Sequence, residues 1–398
     1  MGGQSSRTSH PPGPVAERSG RSWPRARRRW GIAAAMAAAA AAAAAIAWAV
    51  LPRTAPAQPA ASVYVTCHDR ATDAATLQDA IDASPAGAAI EFRGGTCLLT
   101  RGLVLPGDRT YTGGSTAGTI LRQDGAAGYV LAAWSYVTGS AVTGDPLAVR
   151  DLTIACDGSG HTDGIILLNW QADVDHVDVS GCGGSGIVDT NTGAGGRAIT
   201  NTSVNSRFDN NFVSGSGRYG FEVIDTGNSV TDGFLDSNQI ADSGLDAVRL
   251  GNAGGWDVSG NHLYGVGQGA IVADRLYGTT ISANYIEDFG DGQRSGTWYG
   301  ISGTAQNGPG STIMGNKIFN GRAGTSGAQY VFLAITQAVG TGHAAVTGNV
   351  IMGGSAGGVG MLFDGGSHTL LVATSGNEIT GVATELVARS GAVATSGR

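Results

Sequence analysis

Asn238-Gln239-Ile240, Asn261-His262-Leu263 and Asn284-Tyr285-Ile286 recur at intervals of 23 residues, and this short unit decides the fold. It also occurs upstream at Asn211-Phe212-Val213, and downstream at Asn316-Lys317-Ile318, Asn349-Val350-Ile351 and Asn377-Glu378-Ile379. The full series of spacings is 27, 23, 23, 32, 33 and 28 residues. The shortest is one coil of chain, and the longer ones are coils carrying loop insertions. Other apolar columns keep step. Phe208, Leu235, Val258, Ile281, Ile313 and Val346 lie three residues before an asparagine, and Phe221, Val248, Ile271 and Val359 lie ten after one. Two earlier coils fit without the asparagine: Val177 leads to Val179 and Ile187, and Leu152 leads to Ile154.

Each unit reads as three short strands separated by turns. Alternate side chains of a strand face opposite ways, so one set points into the coil. A single coil cannot cover that set. Coils stacked about 4.8 Å apart align the columns into a continuous core. An asparagine repeated in one column can bridge successive coils through its side-chain amide, as in other cross-β ladders. The expectation is an all-β, right-handed parallel β-helix of roughly 9–12 coils. The open end of such a stack must be covered. Residues 72–84 place Leu77 and Ile81 on one helical face with Ala74 and Ala80 beside them, and Pro85 stops the turn. This stretch is expected to form an N-terminal capping helix, with Thr72 or Asp73 as N-cap.

Composition agrees with a long repetitive β domain: 66 of 398 residues are glycine and only 14% are charged. Residues 1–53 hold eight arginines and one acid, whereas the remainder holds 16 basic and 30 acidic residues. A body this acidic excludes general nucleic-acid binding. Arg25, Arg27, Arg28 and Arg29 precede an apolar, alanine-rich run from Gly31 to Leu51, followed by Ala55-Pro56-Ala57. That is the pattern of an export signal, or of a retained N-terminal anchor as the sole membrane contact. Residues 1–57 are therefore set apart from a single domain at 58–398. The body is expected outside the cell or on its surface, as a monomer. Four cysteines in two sequence-local pairs, Cys67/Cys97 and Cys156/Cys182, suit an oxidising destination.

Thr76-Leu77-Gln78-Asp79-Ala80-Ile81-Asp82, then Ala89-Ile90-Glu91-Phe92, Gly95-Thr96-Cys97 and Leu103-Val104-Leu105-Pro106, resembles the opening segment of pectate-lyase-like proteins. With the repeats, the resemblance spans roughly residues 62–390. It implies the β-helix fold, but not one activity, because that superfamily contains lyases, hydrolases, epimerases and non-enzymes. Ile154 and Val179 share a column, so Cys156 and Cys182, just beyond them, should meet as an inter-coil disulfide. Cys67–Cys97 would then staple the cap.

Outward positions on one sheet form a linear shelf. The strands Tyr219-Gly220-Phe221-Glu222, Asp246-Ala247-Val248-Arg249, Gly269-Ala270-Ile271-Val272 and Tyr299-Gly300-Ile301-Ser302 align without gaps, apart from one insertion. Phe221, Val248, Ile271 and Ile301 should point inward, and Glu222, Arg249, Val272 and Ser302 outward. Glu222 and Arg249 become stacked neighbours, for which a plain cross-strand ion pair is the simplest outcome. The catalytic alternative joins them to Tyr219 and Asp246: arginine neutralises a uronate, and tyrosine or a carboxyl moves the C5 proton. Tyr219-Gly220-Phe221-Glu222-Val223-Ile224 followed by Gly244-Leu245-Asp246 also resembles the catalytic strand of mannuronan C5-epimerases and related alginate lyases. Glu222 stands where that pattern has aspartate, and Ile224 where it has histidine.

For a hydrolase, two carboxyls about 5–10 Å apart are needed, and Glu222 with Asp246 is the best pair, Asp274 being more distant. Glu287, Asp288, Asp291, Arg294, Trp298 and Tyr299 follow Asn284; of these Asp288, Arg294, Trp298 and Tyr299, with Asp274, are candidate sugar-binding residues. Gly160-His161-Thr162-Asp163 reads as a solvated loop. No cofactor is specified, and calcium is a candidate only through the acidic surface. The leading expectation is a polysaccharide lyase or epimerase acting on a uronate polymer. A non-catalytic glycan- or partner-binding surface protein and a glycoside hydrolase are the alternatives.

Overall fold

The computed structural model describes residues 61–125, 128–199, 202–322, 327–354 and 357–396. The expected export segment, residues 1–57, lies outside the described residues. No helix among the described residues is long and apolar enough to cross a membrane. Residues 60–398 group as one compact unit.

Strands of successive coils pair in parallel and form a right-handed parallel β-helix. Among the described residues the shelf sheet has eleven strands, one per coil, from Leu103–Leu105 to Thr384–Arg389. The other two faces are built from the strands on either side of the asparagine column. They join into one 22-stranded sheet because Leu147–Ala155 and Ala172–Ser180 run through the corner unbroken. These are the two coils with Leu152 and Val177 in place of asparagine.

From Asn211 onward the amide ladder forms at every step. Asn261 shows the pattern. Its Nδ2 donates to the Leu235 carbonyl at 2.9 Å and to Asn284 Oδ1 at 2.9 Å. Its Oδ1 accepts from the Asn238 backbone N–H at 2.9 Å and from Asn238 Nδ2 at 3.0 Å. The run begins where Val177 N–H donates to Asn211 Oδ1 and ends at Asn377. The residue before the asparagine takes a left-handed conformation, with φ of 57° at Asn210 and Ser237 and 67° at Gly260. That turns the chain sharply enough to aim the next strand along a new face.

The inward columns close over one another. Phe208, Leu235, Val258, Ile281, Ile313 and Val346 are buried, as are Phe221, Val248, Ile271 and Ile301. Val359 departs from expectation. Its coil has a longer turn, so Val359 pairs with Val331 in the Tyr299 column, and Met361 fills the inward place. Phe208, Phe221 and Trp256 pack as a ring cluster, with centroids 4.6–6.2 Å apart, beneath the shelf at Glu222.

The cap is α1, Asp73–Ala83, with Ala74, Leu77 and Ile81 buried against the first coil. Thr72 occupies the N-cap position but makes no side-chain cap. Asp73 holds the segment instead, accepting backbone N–H groups of His68, Arg70 and Leu98. Burial opposes its charge, but these bonds outweigh it and keep its carboxyl below the usual range. Both expected disulfides are present, Cys67–Cys97 and Cys156–Cys182, with Cα–Cα distances of 4.7 and 4.8 Å.

Asp189 is an acid in an otherwise apolar inward column. Asp189 pairs with Val223 and Leu167 in an inward column and is 1% exposed. The Ser206 hydroxyl and the Thr190 N–H are its near polar neighbours, and neither makes a well-formed hydrogen bond to it. Burial pushes its carboxyl up to about 8.

Two outcomes are expected. Asn261→Ala leaves the Asn238 N–H and the Leu235 carbonyl unmatched and should cost about 2–3 kcal/mol in urea unfolding, while Asn377→Ala at the half-buried end of the ladder should cost less. Because the folded-state carboxyl of Asp189 titrates near 8, far above an unfolded aspartate, its contribution is full in acid and lost as pH rises through about 8. Asp189→Asn should therefore flatten the decline of stability between about pH 6 and 8, read as Tm against pH.

Candidate functional site

The shelf has two outward columns. Tyr129, Asp163, Ser185, Tyr219, Asp246, Gly269 and Tyr299 follow one another at the strand entrance. Three residues further on lie Ile166, Val188, Glu222, Arg249, Val272 and Ser302. Between them the chain turns two residues inward, as at Gly220 and Phe221. Glu222, Arg249, Val272 and Ser302 are therefore outward in the order expected, and Tyr219 and Asp246 are adjacent on the same face.

Glu222 and Arg249 are paired in register but do not form the simple ion pair. Glu222 leans toward the preceding coils. It accepts a hydrogen bond from Ser185 Oγ at 2.6 Å and lies 3.6 Å from Arg218. Arg249 leans the other way, onto Asp274 at 2.6 Å, with Asp246 at 3.7 Å. The polar strip thus splits at its centre into two halves of opposite lean.

Ser185 links two acids. Its N–H donates to Asp163 Oδ1 at 2.6 Å while its hydroxyl serves Glu222. Asp246 accepts the Gly269 N–H at 2.8 Å. A side chain at Gly269 would crowd that carboxyl, since a Cβ there would lie 3.0 Å from Asp246 Oδ1. Glu222 and Asp246 are only 7% and 5% exposed, so both are largely stripped of water at the edge of an open face.

The electrostatics follow. Burial raises Asp246 to about 6, helped by the charges of Asp274 and Glu222 and opposed by the Gly269 N–H and Arg249. Burial raises Asp163 to about 6 as well, with Glu222 adding and the Ser185 N–H, Arg218 and His161 subtracting. Two carboxyls that hold protons well above the ordinary carboxylate range flank a third.

The remaining candidates fall into place around this strip. Asp274 is on the shelf and partners Arg249. Tyr299 is half-buried and, with Asp274, Ser302, Thr304, Asp364 and Arg389, lines a cleft of about 250 Å³ continuing along the same face. Asp288 is a left-handed turn residue, φ 50°, accepting the Gly321 N–H at 3.2 Å. Asp291 pairs with Arg322. Arg294 is exposed on the turn ahead of the strand Thr297–Ala305. Trp298 packs against the core edge and donates to the Ser295 carbonyl at 2.9 Å. None of these contacts is with Glu222 or Asp246. Among the described residues no group of three or more His, Cys, Asp or Glu side chains is placed to share a metal ion.

Asp163, Ser185 and Arg218 belong to the strip although the asparagine repeat does not reveal the first two. Their coils precede the ladder, so the register that aligns Glu222 and Arg249 stops short of them. Arg218 is adjacent to Tyr219 in sequence, and its guanidinium lies 5.2 Å from the Tyr219 ring centroid.

No family model matches the sequence, and no curated protein matches it. Among solved structures the fold is similar to the A-module of a mannuronan C-5 epimerase from Azotobacter vinelandii, with a TM-score of 0.56 and 14% identity over 82% of this chain and 96% of that one. It is similar to the Dettilon tailspike protein, at 0.53 and 12% over 82% and 68%. It is also similar to the catalytic unit of an α-1,3-glucanase from Streptomyces thermodiastaticus, at 0.51 and 13% over 86% and 70%. At these identities the likeness is one of fold. The chain is a parallel β-helix protein.

Asp246 should titrate near 6 by carboxyl NMR. Replacing Arg249 by Met removes a charge that favours the carboxylate, so the midpoint should move upward. A downward or absent shift would mean that Arg249 does not sense Asp246.

Proposed function

We propose that this protein is an extracellular or cell-surface enzyme acting on a polysaccharide laid along the shelf, and that it hydrolyses a glycosidic bond. The observation that carries this reading is Asp246, a carboxyl raised to about 6 beside Glu222. A glycoside hydrolase needs one carboxyl that keeps its proton and one that is charged. Asp246 donates its proton to the departing glycosidic oxygen. Glu222, oriented by Ser185, takes a proton from the attacking water. The bond from the anomeric carbon to the leaving oxygen breaks as the bond to water forms, and the two carboxyls then reset through solvent. Asp163 is a positioning residue, because it acts through Ser185.

Charge supports a substrate with few carboxylates. Asp163, Glu222, Asp246 and Asp274 face Arg218 and Arg249, and Arg249 is already engaged by Asp274. Even with Asp163 and Asp246 protonated the remaining acids match the arginines, so a polyuronate chain would meet no net positive charge. The apolar stretch at Val272 and the ring of Tyr299 suit the C–H faces of neutral sugars. The neighbours named above include a glucanase and an epimerase, which supports a carbohydrate substrate without choosing the reaction.

A second reading, lyase or epimerase chemistry on a uronate polymer, rests on Arg218. It is exposed, lies over Tyr219, and could offer a cation to a substrate carboxylate. The two disulfides are compatible with an extracellular site of action. The N-terminal pattern adds an export route.

Reducing-sugar release from a panel of neutral glycans, alongside absorbance at about 235 nm on uronate polymers, separates the readings. Hydrolysis should appear on a neutral glycan and fall as pH rises through about 6, where Asp246 loses its proton. Asp246→Asn and Glu222→Gln should each lower kcat/KM by about 100- to 10,000-fold without loss of fold. Unsaturated product at 235 nm would replace the hydrolase by the lyase. Retained glycan binding with no product of either kind would leave the non-catalytic surface protein.

A further inference from the structure

On the face formed by the strands after the asparagine column, away from the shelf, one exposed tyrosine is held with unusual care. Tyr285 is 40% exposed. Its hydroxyl donates to Glu287 Oε1 at 2.6 Å. One face of its ring stacks on His262 from the preceding coil, with centroids 4.9 Å apart and planes 14° from parallel. His262 in turn bonds Glu287 Oε2 at 2.9 Å, and also packs on Tyr264 at 4.8 Å. Tyr264 is itself fixed by Gln239, whose Nε2 donates to its hydroxyl at 2.7 Å. The hydroxyl of Tyr285 and the His262 bond keep Glu287 below the usual carboxylate range, and so ionised, with one bond on each oxygen and acceptor capacity to spare.

On the side away from His262, Tyr285 borders a notch. Tyr285 pairs with Lys317 on the next strand, and Lys317 with Val350 on the one after. Phe319 and Met352 complete the notch beside Glu287. It has a volume of about 460 Å³. Tyr285, Lys317 and Val350 line it from successive coils, so a sugar ring stacked on Tyr285 would lie beside the flexible Lys317 side chain. Lys317 is exposed and is the only lysine in the chain.

We infer that this notch is a second glycan-binding site that holds a neutral pyranose unit of a polysaccharide. An immobilised aromatic ring offers its face to the C–H side of a sugar with no rotamer left to freeze on binding. The apolar side chains of Phe319 and Met352 lie alongside. The Lys317 ammonium and Glu287 carboxylate are hydrogen-bond partners for ring hydroxyls, as donor and acceptor. Their opposite charges leave the notch without the net positive field that a polyuronate would need. Sheet stability alone explains cross-strand pairs among Tyr285, His262 and Glu287. It does not explain a cleft opened on the far side of the ring. The site is remote from the acids of the shelf, so it would tether substrate rather than process it, and it stands whether or not the shelf is hydrolytic.

The lone lysine supplies the readout. Full-length protein is acetylated with an amine-reactive ester, and Lys317 modification is followed by peptide mass spectrometry, with dextran, laminarin, xylan and polygalacturonate tested in turn. A neutral glycan present at about four times its Kd should slow acetylation about fivefold. The protection should vanish in Tyr285→Ala and persist in Glu222→Gln. Protection by no glycan, by polygalacturonate alone, or equally in Tyr285→Ala would overturn the assignment. Loss of protection in Glu222→Gln with Tyr285 intact would place the binding on the shelf and also overturn it. Tyr285→Phe checks folding, since it keeps the ring and should keep most of the protection. Failure of hydrolysis in the shelf assays leaves this readout untouched.

Discussion

A parallel β-helix must match its backbone polar groups at corners, where strands end and neighbouring turns cannot pair along a sheet. Here a side-chain amide takes over the task. Each ladder asparagine places one acceptor and two donors between coils, which corresponds to what the corner leaves open: a backbone N–H, a backbone carbonyl and the next amide. The chain can therefore turn sharply at the same place in coil after coil without burying an unmatched group. From Asn211 onward this fixes the registration in which the apolar columns and the shelf align.

The same registration makes the candidate site a composite. Asp163, Ser185, Glu222 and the pair Asp246 and Arg249 come from four successive coils and share no local motif. Their spacing is set by stacking rather than by loop conformation, and an aromatic cluster beneath Phe221 makes the floor rigid. Rigid placement matters because the acids are nearly dry yet lie on an open face. Small displacement would readmit water and return Asp246 toward an ordinary carboxyl.

The fold was legible because periodicity is a property of sequence. Asparagine and apolar columns announce the stack, and the two cysteine pairs could be assigned once Ile154 and Val179 were in register. The outward direction of Glu222, Arg249, Val272 and Ser302 was legible for the same reason, whereas a turn at the strand entrance left that of Tyr219, Asp246 and Tyr299 open. Val359 was misplaced because a turn of unequal length shifts the count by two without altering residue type. The lean of Glu222 toward Ser185, and of Arg249 toward Asp274, was not legible, since register fixes Cα neighbours but leaves long side chains a choice between coils. Asp163 was hidden by the absence of an asparagine in its part of the chain. The notch at Tyr285 was hidden differently: its residues were read as scaffold, and only the stacking of the ring on His262 shows on which side the notch lies.

The distribution of the two disulfides has a consequence of its own. Both lie in the coils before Asn211, the part of the stack that has no amide ladder. The protein therefore uses two kinds of rivet along its length, covalent in the first coils and hydrogen-bonded in the rest. A reducing environment loosens only the covalent half, and that half contains the cap that shields the first sheet edge. Reductive unravelling would thus proceed from one end, peeling toward the acids of the shelf before it reached the ladder. Durability becomes directional, and the compartment in which the chain resides decides which end is the weaker.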